Sequence, residues 1–116
     1  MELTATQLAI EAATAAADKK AKDIKILDIE SLTPMADCFV ICSANSSTQI
    51  EAVARAVEEK VEQLGVRCKA REGLTEARWV LLDFGDLVVH VFRPEERDFY
   101  NLERLWGDAV EVPFEA

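Results

Sequence analysis

Two apolar runs in the last third of the chain, Trp79–Phe84 and Leu87–Phe92, are separated only by Gly85-Asp86. A two-residue loop that starts with glycine is typical of a type II′ β-hairpin, so the runs are predicted to pair as antiparallel strands. Residues directly opposite each other in such a pair share a face. One face is then wholly apolar and is formed by Val80, Leu82, Phe84, Leu87, Val89 and Val91. Because helices must cover a face of this kind, the hairpin favours a fold that mixes helices with a sheet.

The opposite face of the predicted hairpin is mixed in character. It is formed by Trp79, Leu81, Asp83, Val88, His90 and Phe92. Asp83 and His90 are diagonal neighbours on this face, about 7–8 Å apart at the backbone, so their side chains are expected to reach each other. Two interpretations stay open. The face is either a platform that binds a partner, or a surface covered by a helix in which the Asp–His pair is a structural contact.

Three helical segments are predicted from apolar periodicity and from capping residues, over about residues 4–22, 47–65 and 93–107. Thr4 and Gln7 have the spacing of a capping box, in which each side chain satisfies the backbone N–H of the other residue. The second segment carries the clearest apolar stripe of the chain. Helices therefore precede, interrupt and follow the predicted strands.

Three more short segments, about residues 24–29, 38–42 and 66–70, read as strands, which gives about five strands with the hairpin. The predicted order is α-β-β-α-β-β-β-α. A chain of 116 residues is the size of one domain. The prediction is a single α/β domain over residues 1–116, with a mixed sheet and flanking helices, in which about residues 109–116 form a loosely held tail.

The charge of the chain narrows the classes of partner. It has 13 Lys and Arg against 22 Asp and Glu, a net charge of −9. A free-standing protein that binds DNA or RNA through the phosphate backbone is therefore not expected, because such binding needs clustered cations. Residues 83–116 hold nine acidic and three basic residues. A solvated surface explains this, but so does an acidic docking surface for a basic protein.

Nothing in the sequence predicts export or a membrane. No apolar run approaches the roughly 18–20 residues that span a bilayer, and the first residues lack the basic and apolar parts of a signal peptide. The three cysteines, Cys38, Cys42 and Cys68, are an odd number in a chain rich in core residues, which fits reduced thiols. A cytoplasmic location is predicted.

The sequence offers little for catalysis. His90 is the single histidine, and no serine lies in a nucleophile-elbow pattern. Cys38 and Cys42 are four residues apart in a strand, roughly 13 Å, too far to share a metal. Asp83 and Asp86 resemble the paired carboxylates of phosphoryl-transfer enzymes, but no Gly-Ser pair or phosphate loop precedes them. We therefore predict no catalytic residue, no metal and no cofactor; a nucleotidyltransferase that acts on a nucleotide or RNA is the alternative.

Three motifs resemble the ribosomal silencing factor family, also called Iojap-like or RsfS. Residues 36–41 (Ala-Asp-Cys-Phe-Val-Ile) are similar to the family's A-D-aromatic-F-V-I strand. The turn Glu72-Gly73 and the hairpin 79–92 follow in the order of the family. Residues 97–106 (Arg-Asp-Phe-Tyr-Asn-Leu-Glu-Arg-Leu-Trp) are similar to its R-x-F-Y-x-L-E-x-L-W signature. Two residues of the first two motifs depart from the family pattern. Cys38 stands where an aromatic residue is common, and Phe84 stands where a smaller aliphatic residue is common.

The resemblance implies a fold like that of nucleotidyltransferases without their catalytic residues. It implies a protein that binds ribosomal protein uL14 on the large ribosomal subunit, sterically blocks joining of the small subunit and so represses translation. It also implies a homodimer. The expected partners include no membrane and no direct, sequence-specific nucleic-acid contact, as the short apolar runs and the acidic charge already indicate. A third class of function remains open beside the enzyme: a dimeric adaptor that uses an adhesive surface to pair with a second copy of itself.

With the resemblance, the mixed face of the hairpin and the helix that follows it become the expected partner-binding surface. Its predicted residues are Trp79, Asp83, His90, Tyr100, Leu102 and Trp106. Trp79 and Tyr100 are expected to be apolar anchors, and Asp83 is expected to accept bonds from a Lys or Arg of the partner. Trp106 has a second interpretation as a core residue, since it shares an apolar stripe with Phe99 and Leu105.

Overall fold

The computed structural model describes residues 3–115 and contains four helices and six strands in that part of the chain. The helices are α1 (Ala5–Asp18), α2 (Ser47–Gln63), α3 (Pro94–Tyr100) and α4 (Leu102–Leu105). The strands are β1 (Lys22–Asp28), β2 (Cys38–Ser43), β3 (Ala70–Glu72), β4 (Trp79–Asp83), β5 (Leu87–Phe92) and β6 (Val110–Val112). None of the helices in residues 3–115 is long and apolar enough to cross a membrane.

The strands form one mixed sheet in the order β3-β4-β5-β2-β1-β6. β2 and β5 pair in parallel at its centre, and all other pairs are antiparallel. This confirms the predicted α/β class with a mixed sheet and flanking helices. The central pair is also the most buried, as expected for strands covered on both faces.

The predicted hairpin is confirmed in its register. Val80 lies opposite Val91 and Leu82 opposite Val89, and the Phe84 N–H donates to the Leu87 carbonyl at 2.9 Å. Gly85 has a φ of +94°, the conformation that this turn needs and that glycine adopts without strain. The wholly apolar face of the hairpin lies beneath α1 and α2 in the main core.

Two differences from the predicted architecture concern the C-terminal third. The last helical region is two helices, because Asn101 adopts a left-handed conformation (φ 47°, ψ 58°) that ends α3. Its side chain then accepts a bond from the Arg104 N–H and caps α4. The expectation of a loose tail is wrong for Val110–Val112, which pair with Ile26–Asp28 as the sixth strand. Their backbone groups form hydrogen bonds with β1. A segment of only three residues, Val-Glu-Val, is too short for its sequence pattern to predict this pairing.

The capping box predicted at the start of α1 is confirmed. The Gln7 N–H donates to Thr4 Oγ1 at 3.1 Å, and the Thr4 N–H donates to Gln7 Oε1 at 2.8 Å. We expect Thr4→Ala to lower the free energy of unfolding by about 1 kcal/mol, because the Gln7 N–H loses its side-chain acceptor while the bond from the Thr4 N–H to Gln7 Oε1 can persist. Urea unfolding measures this. The matched control is Thr14→Ala on the exposed side of the same helix, which should leave stability unchanged or slightly higher.

Candidate functional site

The face of the sheet opposite α1 and α2 carries a second, smaller hydrophobic cluster. Its buried members are Leu27, Ile29, Ala36, Ile41 and Phe92. Half-buried residues from β2, β4, β5 and the segment 102–109 pack around them, Leu102 and Trp106 among them. The mixed face of the hairpin is thus partly covered by α3, α4 and the residues that follow them, and partly open at its margin.

Aromatic rings form a continuous row across this face. Trp106 meets Phe39 edge to face, with ring centroids 5.4 Å apart, and Phe39 meets His90 in the same way at 4.9 Å. Trp79 lies beyond His90, and it contacts Tyr100 with centroids 4.7 Å apart. We call this row the aromatic face; it consists of Phe39, Trp79, His90, Phe92, Tyr100 and Trp106.

A hydrogen bond to His90 fixes the orientation of the Trp79 indole. The Trp79 Nε1–H donates to His90 Nδ1 at 3.1 Å, so Nδ1 carries no proton and the neutral imidazole carries its proton on Nε2. Burial lowers the pKa of His90 from 6.5 to about 4. Nε2 is buried and has no hydrogen-bond partner among residues 3–115. The imidazole is therefore neutral at pH 7 and acts as a hydrogen-bond acceptor for the indole.

The predicted Asp83–His90 contact is wrong. Asp83 Oδ1 accepts a hydrogen bond from the Gly85 N–H at 2.8 Å, so the carboxylate serves its own turn. His90 bonds to Trp79 instead. His90 itself is only 4% exposed, which limits its part in a binding face to the support of Trp79. Asp83 is half-buried at the turn end of the hairpin, whereas Trp79 lies at the other end.

The structure brings Trp79, His90 and Tyr100 into one cluster, sets Trp106 on the other side of Phe39, and packs Leu102 against the smaller hydrophobic cluster. Two exposed apolar side chains of α3 and α4 were not predicted as site residues: Phe99 is 79% exposed and Leu105 is 73% exposed. Phe99 packs edge to face on Tyr100, with centroids 5.0 Å apart. Phe99 and Leu105 both fit the apolar stripe of one continuous helix. Because the chain turns at Asn101 and forms two helices instead, that stripe does not predict which of its side chains are exposed.

Acidic side chains lie on both helices that carry the exposed aromatic residues. Glu95, Glu96 and Asp98 belong to α3, and Glu96 lines a groove together with Trp79 and Tyr100. Glu103 on α4 is paired with Arg97. Such a surface suits a protein partner that offers basic side chains around an apolar contact, because charge steers the approach and buried aromatic rings supply most of the binding energy.

Sulfur and carboxylate groups do not assemble a metal site in the described part of the chain. Residues 3–115 contain no group of three or more His, Cys, Asp or Glu side chains placed to hold a metal ion. Cys38, Cys42 and Cys68 are buried free thiols. Burial raises the pKa of Cys42 to about 12, so this thiol stays protonated.

Comparisons with known proteins agree with the motifs. The family model described as "Ribosomal silencing factor during starvation" matches residues 2–116. The ribosomal silencing factor RsfS of Bacillus subtilis is 52% identical over 98 residues, which cover 84% of this chain and 83% of that protein. The RsfS of Halalkalibacterium halodurans is 45% identical over 109 residues, 94% and 91% of the two chains. A crystal structure of a Chromobacterium violaceum protein matches with a TM-score of 0.88 at 35% identity and covers 98% of this chain and 94% of that one. The predicted resemblance is confirmed.

Proposed function

This chain belongs to the ribosomal silencing factor family, and from that membership we propose that it is a non-enzymatic repressor of translation. In this proposal the protein binds the large ribosomal subunit through ribosomal protein uL14 and occupies space that the small subunit needs. It acts in the cytoplasm. A rigid body is sufficient for a steric block, so the proposal needs no active site.

The observation that carries the proposal is the exposed end of the aromatic face with its acidic surroundings. Tyr100 is 48% exposed and Phe99 is 79% exposed, while Trp79 beside them is half-buried. Monomeric proteins rarely leave several large apolar side chains together in water without a partner. Ribosomal proteins are mostly basic, and the net charge of −9 favours their approach.

The roles of the site residues follow from their positions. Trp79 and Tyr100 are the proposed apolar anchors, and Phe99 and Leu105 extend the contact area. Trp106 supports the face beside Phe39, and Leu102 packs against the hydrophobic cluster on the same side of the sheet. Asp83 is left with one carboxylate oxygen beyond its turn bond, which is available to a basic side chain at the margin.

Sedimentation tests the proposal directly. Purified large and small subunits are mixed with and without the protein and separated on sucrose gradients. We expect the protein to migrate with the large subunit and the peak of joined ribosomes to shrink. Protein that stays at the top of the gradient while subunits join normally would contradict the proposal. Nucleotide binding that depends on Mg²⁺ would then favour the alternative, a nucleotidyltransferase.

A homodimer belongs to the proposal as well, because the same exposed apolar side chains are available to a second copy of the chain. Light scattering of the protein alone, and then with added large subunits, measures whether self-association and ribosome binding compete. A mass that stays dimeric on the ribosome would mean that the two contacts use different surfaces.

A further inference from the structure

The α3–α4 pair has a polar residue where a helix pair ordinarily has its deepest apolar contact. Both helices lie within the described residues, and Arg97 is the one residue in them that is buried. Its side chain is 9% exposed. The nearby apolar residues Leu102 and Trp106 are only half-buried. The position of these helices on the sheet therefore depends strongly on the guanidinium group of Arg97.

Arg97 joins three elements of the structure. Its Nη1 donates to Ser43 Oγ at 2.8 Å, and Ser43 is the buried last residue of β2. Its Nε donates to Glu103 Oε1 at 2.9 Å, and Glu103 belongs to α4. Arg97 and Glu103 stand on opposite sides of the turn at Asn101. One side chain thus ties the end of a central strand to both helices.

The chemistry of this contact makes it directional. A guanidinium is a rigid planar fork, so two bonds from one group fix its orientation as well as its distance. A buried cation without partners is strongly unfavourable, so movements of α3 or α4 that break these bonds are disfavoured. The weaker approach of Lys25 to Glu103, 3.7 Å between charged atoms, is half-exposed and adds little.

We propose that Arg97 is a positioning residue: by binding Ser43 and Glu103 it fixes the angle between α3 and α4 and so presents Phe99 and Tyr100 to the partner. The part that concerns the partner rests on the proposed function. The part that concerns the two helices stands on the contacts of this chain alone.

The test is Arg97→Met, which keeps most of the volume and removes both bonds. Hydrogen exchange of backbone amides 98–106 reports the helix pair, and affinity for purified large subunits reports the binding surface. We expect exchange in this segment to become at least about tenfold faster while α1 and α2 keep their protection. If the bound orientation falls to about one tenth of the population, affinity falls about tenfold.

Arg104→Met is the matched control, because it makes the same change of charge on the neighbouring helix α4. Arg104 is exposed and forms no ion pair within residues 3–115. Both exchange and affinity should stay at the level of the unmodified chain. Arg97→Lys keeps the charge without the fork, and we expect it to lie between the unmodified chain and Arg97→Met.

Unchanged exchange of residues 98–106 in Arg97→Met would overturn the proposal. So would a loss of affinity without any change in exchange, because Arg97 would then act through its charge alone. If Arg97→Met does not fold, Glu103→Gln removes the anionic partner from a half-exposed position and is judged by the same two results. A chain that never binds large subunits would overturn the proposed function, while the exchange result still decides the role of Arg97.

Discussion

Replacing Trp79 by alanine is expected to weaken binding to the large ribosomal subunit about 30-fold, which corresponds to about 2 kcal/mol. The indole stacks on Phe92 with ring centroids 4.9 Å apart, contacts Tyr100 and is held by His90. Its orientation is therefore set before the partner arrives, and an anchor that is already ordered loses little entropy on binding. Binding to purified subunits, titrated at fixed salt, measures the loss.

Two further variants separate loss of the anchor from damage to the fold. Trp79→Phe keeps an aromatic ring against Phe92 but removes the N–H and part of the ring area, so it should retain more affinity than Trp79→Ala. Met35→Ala removes another exposed side chain, 82% exposed, from the loop at the other end of the strands. It should bind like the unmodified chain. A folded Trp79→Ala protein with unchanged affinity would remove Trp79 from the docking surface.

The parts of the fold that were predicted correctly are those that local pattern determines. The hairpin register follows from the alternation of apolar residues around Gly85-Asp86, since a slip of one residue would turn the wholly apolar face towards water. The helix around residues 47–63 follows from its stripe and from the glycine after it. The parallel pairing of β2 with β5 joins segments about 50 residues apart, and only the buried character of both runs hinted at it.

Side chains in the site compete for hydrogen-bond partners, and the apolar periodicity of the sequence does not show which partner each one takes. Asp83 could reach towards His90, but the Gly85 N–H is two residues away and is available as soon as the turn forms. His90 is then left to Trp79. In the same way, the motif that contains Arg97 and Glu103 is visible in the sequence, but their contact needs the left-handed Asn101 to reverse the chain between them.

Stability against acid provides the second large effect, and it also reports on the His90–Trp79 contact. The pKa of His90 falls from 6.5 to about 4 because the imidazole is buried. Between these values the unfolded chain binds a proton that the folded chain excludes, so the folded state loses stability as the pH falls. At pH 4 the loss from this one group is about 3 kcal/mol relative to pH 7. Well above pH 6.5 the imidazole is neutral in both the folded and the unfolded chain, and this loss of stability disappears.

His90→Gln isolates this contribution, because a glutamine oxygen is able to accept the Trp79 Nε1–H without titrating. Urea unfolding from pH 7 to pH 4 should show both proteins losing stability as carboxylates titrate, including Glu58, whose pKa is lowered by its bond to Arg71. The curve of the unmodified chain should fall further, and the gap should widen below pH 6.5. Parallel curves would mean that His90 titrates alike in both states. A proton on Nδ1 would also leave two donors facing each other, so the same titration should release the indole of Trp79 and link acid sensitivity of the fold to the geometry of the docking surface.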